Sequence, residues 1–282
     1  MSCGRTGSGD LAPEPWAHEV LAEEVLLGWL AGWTATGRRG LLVSYEAFAT
    51  LLLTGLTGHL KQRRITAPAP PSVNILLTSY GWHNNYTHGD PSLATALLAT
   101  GDPAVHVFTP ADAHRAAVAL DDALRSTGQL NVIIAGKHAT AAHPRDTMHA
   151  ERRDGLAVWH HLSDPGEPDL TLICAGDLAA AVVSDSVARI RERHRCRVRV
   201  VNVHDLTALA RPAIDRYLGG HAPVLVATVG HPAAIWGLLA GRLRRRVDVV
   251  GWREPPHPMD QERLAAYSRL RRAAPRAGRC DP

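Results

Sequence analysis

No apolar run in this sequence approaches the ~20 residues that a membrane span requires. The opening residues, MSCGRTGSGD, have no apolar core of the kind a secretory leader carries. Cysteine is sparse: Cys3, Cys174, Cys196 and Cys280 form no C-x-x-C pair, and two of them lie near the termini. That pattern argues against a disulfide framework and for a reducing compartment, so a cytoplasmic protein is expected. There is no P-loop and no G-x-G-x-x-G. There is also no H-E-x-x-H and no Cys/His set with zinc spacing, so the sixteen histidines read as polar loop residues and no metal site is expected.

What is present fits a globular protein of two domains. The chain has 282 residues, more than one ordinary domain, and it is 45% apolar and 21% charged. The formal charge of +4, with Arg242, Arg244, Arg245 and Arg246 and later Arg269, Arg271, Arg272 and Arg276, invites a nucleic-acid reading. Apolar residues beside these arginines favour amphipathic helices with a solvated basic face, and no recognition motif accompanies the charge. Neither a nucleic-acid nor a membrane partner is expected.

Along the chain, residues 1–12 are Gly- and Ser-rich and expected to be disordered. A helical pattern follows Pro13 and Pro15, with Trp16, Val20, Leu27 and Leu30 on one stripe and Glu23 in its middle. Strands are expected at 40–44, 73–78, 104–108 and 131–135, and helices at 46–61, 91–100 and 110–126. The polar run 79–90 reads as a loop. Residues 138–155 break the rhythm, and the domain boundary is placed there. A second set follows: strands 170–174, 197–203, 224–229 and 247–251, and helices 178–194, 233–243 and 261–272. The His160-His161 pair reads as lying on a strand. Alternation of strand and helix implies an α/β fold: two three-layer α/β/α domains with mostly parallel sheets, over 13–150 and 151–282.

One false lead is instructive. Gly176-Asp177 with Asn202 loosely matches a Gly-Asp-Gly…Asn signature for magnesium and diphosphate, but Leu178 stands where the second glycine is needed for close backbone approach. Glu23 stands out for another reason: a carboxylate on an apolar face is costly unless something uses it. Glu24 competes for that role. Read alone, Glu23 is equally well a surface residue of a helix whose apolar face lies elsewhere.

Five segments together resemble the phosphoketolases: GWLAGWTATGRRGLLVSYEAF (28–48), NILLTSYGWHNNYTHGDP (74–91), LNVIIAGKH (130–138), CAGDLAAA (174–181) and VRVVNVHDLTAL (198–209). They occur in that family's order and at near-family spacing. The resemblance implies a thiamine-diphosphate pyrimidine-binding domain over 13–150 and the family's C-terminal domain over 151–282. The large domain that holds the diphosphate and Mg2+ has no counterpart in the sequence. It further implies that Glu23 is the cofactor-activating glutamate and that Tyr45 and Phe48 are aromatics beside the aminopyrimidine. For either ring alone, core packing is the simpler explanation. His83, Asn84 and His88 match the active-site loop that contacts substrate, where imidazoles can shuttle protons. Lys137 matches a lysine for the sugar phosphate. Arg63 or Arg64 is the candidate second phosphate contact, and Arg64 is taken.

The sequence departs from the family as well. The family has extra residues between the positions matching Trp82 and His83, which are adjacent here; the segment before Val73 is also shorter, and Glu254-Pro255-Pro256-His257-Pro258 replaces a Thr-rich stretch. The resulting expectation is a subunit of a thiamine-diphosphate-dependent lyase that cleaves xylulose 5-phosphate or fructose 6-phosphate. The products would be acetyl phosphate, formed with inorganic phosphate, and an aldose phosphate. A separate diphosphate-binding subunit would complete it, as a homodimer or heterotetramer. Two alternatives stand beside it: a transketolase-like two-carbon transferase subunit, and a catalytically silent scaffold.

Overall fold

The computed structural model describes residues 17–79, 82–83, 87–239 and 243–270. Strict alternation of apolar side chains builds its first sheet. Strands β1 (Leu42–Tyr45), β2 (Val73–Ser79), β3 (Val105–Phe108) and β4 (Leu130–Ile134) pair in the order β1-β2-β4-β3, all parallel. Val73, Ile75 and Leu77, Val105 and Val107, and Leu130, Val132 and Ile134 point into the main core. Leu76, Phe108 and Ile133 point to the other face, as a period of two demands. Helices α1 (Glu23–Ala35), α2 (Glu46–Ala49), α3 (Leu53–Arg63) and α4 (Ser92–Ala99) belong with the main core. Helix α5 (Ala113–Arg125) covers the opposite face with Ala119 and Ala123. Asp112 caps α5 by accepting from the Arg115 N–H at 2.9 Å. Both faces of the sheet are therefore covered, as parallel strands require.

Helix α6 (Met148–Asp154) ends at Gly155, whose φ of +81° suits the left-handed position after a helix. The expected domain boundary at 150/151 falls inside this helix. The second sheet runs β5-β7-β6-β8-β9, from β5 (Leu156–Val158), β6 (Leu170–Ala175), β7 (Val198–Val203), β8 (Val224–Thr228) and β9 (Val247–Val250). It is parallel except for β5, which lies antiparallel to β7 at the edge. Helices α7 (Asp177–His194), α8 (Asp215–Leu218), α9 (Pro232–Leu239) and α10 (Gln261–Tyr267) complete this half.

Three expectations are corrected. α1 begins at Glu23, not near Trp16, so Glu23 opens the helix instead of sitting mid-stripe. Ala22 is extended, and Leu21 is fully exposed. Leu27, Leu30 and Thr34 form the buried face, each leucine contributing about 2 kcal/mol by leaving water. His160 and His161 lie on a 3-10 turn (His160–Leu162), not on a strand. The segment 138–155, read as a polar break in the alternation of strand and helix, holds α6. Trp16 and residues 1–12 lie outside the described residues.

The two halves meet through the carboxyl ends of their strands. The Thr109 N–H, just past β3, donates to the His204 carbonyl past β7 at 2.9 Å. His106 Nδ1 pairs with Asp205 at 2.8 Å. The Trp82 indole, past β2, donates to the Val229 carbonyl past β8 at 2.7 Å.

Candidate active site

The carboxyl ends of parallel strands are where such sheets place ligands, and there the chain gathers most of the residues singled out from its sequence. Ser44, on β1, donates its hydroxyl to Glu23 Oε1 at 3.2 Å, tying the first turn of α1 to the strand. Tyr45 ends β1, and Phe48 lies one turn on in α2; their ring centroids are 5.9 Å apart. His88 comes from the β2–α4 loop. Its ring meets the Tyr45 ring edge-on at 4.4 Å and lies 6.3 Å from Phe48. Lys137, three residues past β4, places Nζ 4.4 Å from the centre of the Tyr45 ring, a cation–π contact. The backbone delivers these groups from four segments to one rim: a carboxylate, two aromatic rings, an imidazole and an ammonium.

A second cluster adjoins the first through consecutive residues. His138 follows Lys137, and its ring lies 4.1 Å from that of His83. Burial lowers the His83 pKa below its usual value; the neighbouring His138 pushes the same way, and Asp177 opposes both. Asp177 opens α7 in the second half of the chain, so His83 feels charges from both halves.

Asn84 lies outside the described residues. Arg64 is not brought to this rim. It donates to Asp102 Oδ2 at 2.7 Å while Arg63 donates to Oδ1 at 2.8 Å, at the amino ends of β2, β3 and β4. Burial would raise the Asp102 carboxyl, but the Ala104 N–H and the two guanidinium groups outweigh it and hold the pKa at about 2. Arg64 therefore serves a structural ion pair on the far side of the sheet from Lys137. The rejected Gly176-Asp177…Asn202 match is likewise no diphosphate site: the Asn202 amide donates to Glu151, and Gly176 is needed because a Cβ there would meet Val229 at 2.7 Å.

Sequence reasoning missed Ser44, His138 and Asp177. Ser44 and His138 each sit beside a residue already singled out, a signal that could have found them. Asp177 could not have been found this way, because its approach to His83 is purely tertiary. Among the described residues, no group of three or more His, Cys, Asp or Glu is arranged to hold a metal ion, and no helix is long and apolar enough to cross a membrane.

Thiamine diphosphate, the cofactor of the phosphoketolase and transketolase families, finds complementary groups at this rim. The Glu23 carboxylate is hydrogen-bonded to Ser44, the residue before Tyr45, and Phe48 stays 42% exposed, a ring surface open to a flat heterocycle.

Comparison with known proteins agrees. The family described as D-xylulose 5-phosphate/D-fructose 6-phosphate phosphoketolase matches residues 6–126, and its C-terminal domain matches 143–257. A probable phosphoketolase of Rhodopseudomonas palustris is 32% identical over 266 residues, 87% of this chain and 34% of that protein. One of Streptomyces avermitilis is 35% identical over 260 residues, 84% of this chain and 33% of that protein. The chain thus spans about a third of the length of these relatives. Among solved structures, transketolase from Leishmania mexicana superposes with a TM-score of 0.67 at 18% identity, over 88% of this chain and 35% of that one. A split gene transketolase, an inactive β4 tetramer, gives 0.66 at 19%, over 90% of this chain and 80% of that one. The five family-like segments, the two α/β sheets and these matches agree: the chain belongs to the xylulose 5-phosphate/fructose 6-phosphate phosphoketolase family.

Proposed function

We propose that this chain is the pyrimidine-side subunit of a thiamine-diphosphate-dependent phosphoketolase, completed by a separate subunit that holds the diphosphate and Mg2+. Cytoplasmic xylulose 5-phosphate or fructose 6-phosphate would be cleaved to acetyl phosphate and an aldose phosphate. The observation that carries this reading is the convergence of Glu23, Tyr45, Phe48, His88 and Lys137 on one rim, with His83 beside them.

When bound, the cofactor supplies the carbon nucleophile that opens the ketose. The chain's own residues do the rest. Glu23, oriented by the Ser44 hydroxyl, would exchange a proton with the pyrimidine ring. Tyr45 and Phe48 offer ring faces to that heterocycle. Lys137 presents a point charge to the sugar phosphate. His83 and His88 move protons to and from sugar hydroxyls. His83 suits this at neutral pH, because its lowered pKa leaves it a neutral base.

Two further observations support a partner. Val25, Trp29 and Trp33 recur every four residues and stand exposed along α1, with Leu21 exposed just before it; Val43, Phe48 and Leu51 stand exposed on the adjoining β1–α3 segment. Contiguous exposed apolar surface marks an interaction face. The split gene transketolase, whose chain is matched over 80% of its length, is inactive as a β4 tetramer. Co-expression with the candidate diphosphate-binding subunit, co-purification and an acetyl phosphate assay test the proposal. The single chain is expected to be inactive and the pair active. Turnover by the purified chain alone overturns the split arrangement, and an inactive, stably assembled pair leaves the scaffold reading.

A further inference from the structure

Trp82 is a large side chain with no solvent exposure in a loop that carries candidate site residues. Its indole hydrogen bond and its ring contact both reach into the second half of the chain. Nε1–H donates to the Val229 carbonyl at 2.7 Å, and the ring meets the edge of Trp252 at 5.5 Å. The receiving surface is stiff. The Val229 N–H donates to the Ala175 carbonyl at 3.1 Å, and the Trp252 N–H to the Gly230 carbonyl at 2.9 Å. A Cβ at Gly176 would stand 2.7 Å from Val229, and one at Gly251 would stand 2.6 Å from the Gly230 carbonyl, so both glycines are there to let three strand ends close up. The next residue after Trp82 is His83, whose ring sits on His138, with Asp177 of α7 acting on it across the domain junction.

We propose that the second domain is a positioning element of the active site: it grips Trp82 at Val229 and Trp252, and this grip holds His83 against His138 and within the field of Asp177. Trp82 is thus a positioning residue, and Asp177 is the second domain's charge on the site imidazole. The inference deepens the reading of His83 as a site residue and rests on it. It assigns a role in the chemistry to the half of the chain that supplies none of the cofactor-facing groups.

Histidine ring NMR titration of the full chain tests the geometry without any partner, with His83→Gln identifying the resonance. Among the described residues, His138 past β4 and Asp177 at the start of α7 act on the His83 charge. Asp177→Asn removes an influence that raises the His83 midpoint, so the midpoint is expected to fall. Trp82→Phe keeps an apolar ring but deletes the indole N–H; the loop loosens, His83 moves off His138, and the midpoint is expected to rise toward the ordinary value of about 6.5. His59, on α3 away from the junction, is expected to titrate as before. If Trp82→Phe fails to fold, Trp252→Phe loosens the same grip. A His83 midpoint unmoved by a folded loop variant overturns the grip, and one unmoved by Asp177→Asn overturns the charge. Turnover of the reconstituted pair separates the two levels. Normal rates with His83→Gln would refute its place in the chemistry while leaving the titration result standing.

Discussion

Removing the Arg115 charge is expected to destabilise this protein strongly, and its magnitude can be worked from the contacts. Arg115 is 1% exposed. Nη1 donates to Asp112 at 2.7 Å, Nε to Glu151 Oε2 at 2.7 Å, and Nη2 to Glu151 Oε1 at 3.2 Å and to the Pro144 carbonyl at 2.9 Å. Glu151 also accepts from the Trp159 indole at 2.7 Å and from the Asn202 amide at 3.1 Å, so the cluster ties α5 of the first sheet to β7 of the second. One buried cation thus pairs with two buried carboxylates and leaves a single negative charge shared between them. Arg115→Met leaves both carboxylates without a counter-charge, and losing one partner of a buried pair costs about 3–5 kcal/mol. Glu151→Gln leaves Arg115 and Asp112 one to one and keeps an amide oxygen for Trp159 and Asn202, a loss of about 1–3 kcal/mol. With an unfolding entropy of about 2 cal/mol/K per residue over roughly 250 residues, these become falls in Tm of about 6–10 °C and about 2–6 °C. Melting of both variants by circular dichroism at neutral pH gives the order directly. The reasoning is refuted if Arg115→Met melts at or above the parent, or if Glu151→Gln is the worse of the two.

Other expectations follow from the same contacts. His59, His143, His161, His204 and His231 all have pKa values lowered chiefly by burial, so the folded chain favours their neutral forms. The unfolded chain binds those protons first as the pH drops. Stability is therefore full above the unfolded value of about 6.5 and declines as the pH falls below it. A Tm flat from neutral to mildly acidic pH would contradict this. In the reconstituted pair, Glu23→Ala is expected to lower kcat by about two to four orders of magnitude while leaving assembly intact; normal turnover would remove Glu23 from its assigned role. Lys137→Met is expected to raise KM for the sugar phosphate more than it lowers kcat, and an unchanged KM would argue against a phosphate contact. Trp29→Glu, on the exposed stripe of α1, is expected to weaken co-purification with the partner without changing the Tm of the isolated chain; undiminished capture would place the interface elsewhere.

Where a segment's own residues meet the core, its structure was legible. LNVII and LTLICA read as buried strands because their apolar runs are short, β-branched and bounded by turn residues, and both form strands in the folded chain. The resemblance also brought Glu23, Tyr45, Phe48, His83, His88 and Lys137 to notice, and all six lie at one end of the first sheet.

Legibility ended where the reason for a structure lies far along the chain. The stripe from Trp16 to Leu30 has a helical period, yet the helix begins at Glu23, because periodicity says which face is apolar and not where hydrogen bonding starts. Helix α6, MHAERRD, has no apolar stripe; its buried residue is Glu151, tolerated only because Arg115 comes from α5. β5 is three residues long and is a strand only because β7 lies beside it.

The alternation of strand and helix, the family and the chemical types available to the site were all set by the amino-acid order, since these depend on local period and on side-chain identity. Which end of the sheet each charge would reach was set by packing: Lys137 to the rim, Arg64 to Asp102 on the far side. Packing also brought Trp82 to a carbonyl 147 residues away and Asp177 to His83, because such meetings follow from how two sheets come together and leave no trace in spacing along the chain.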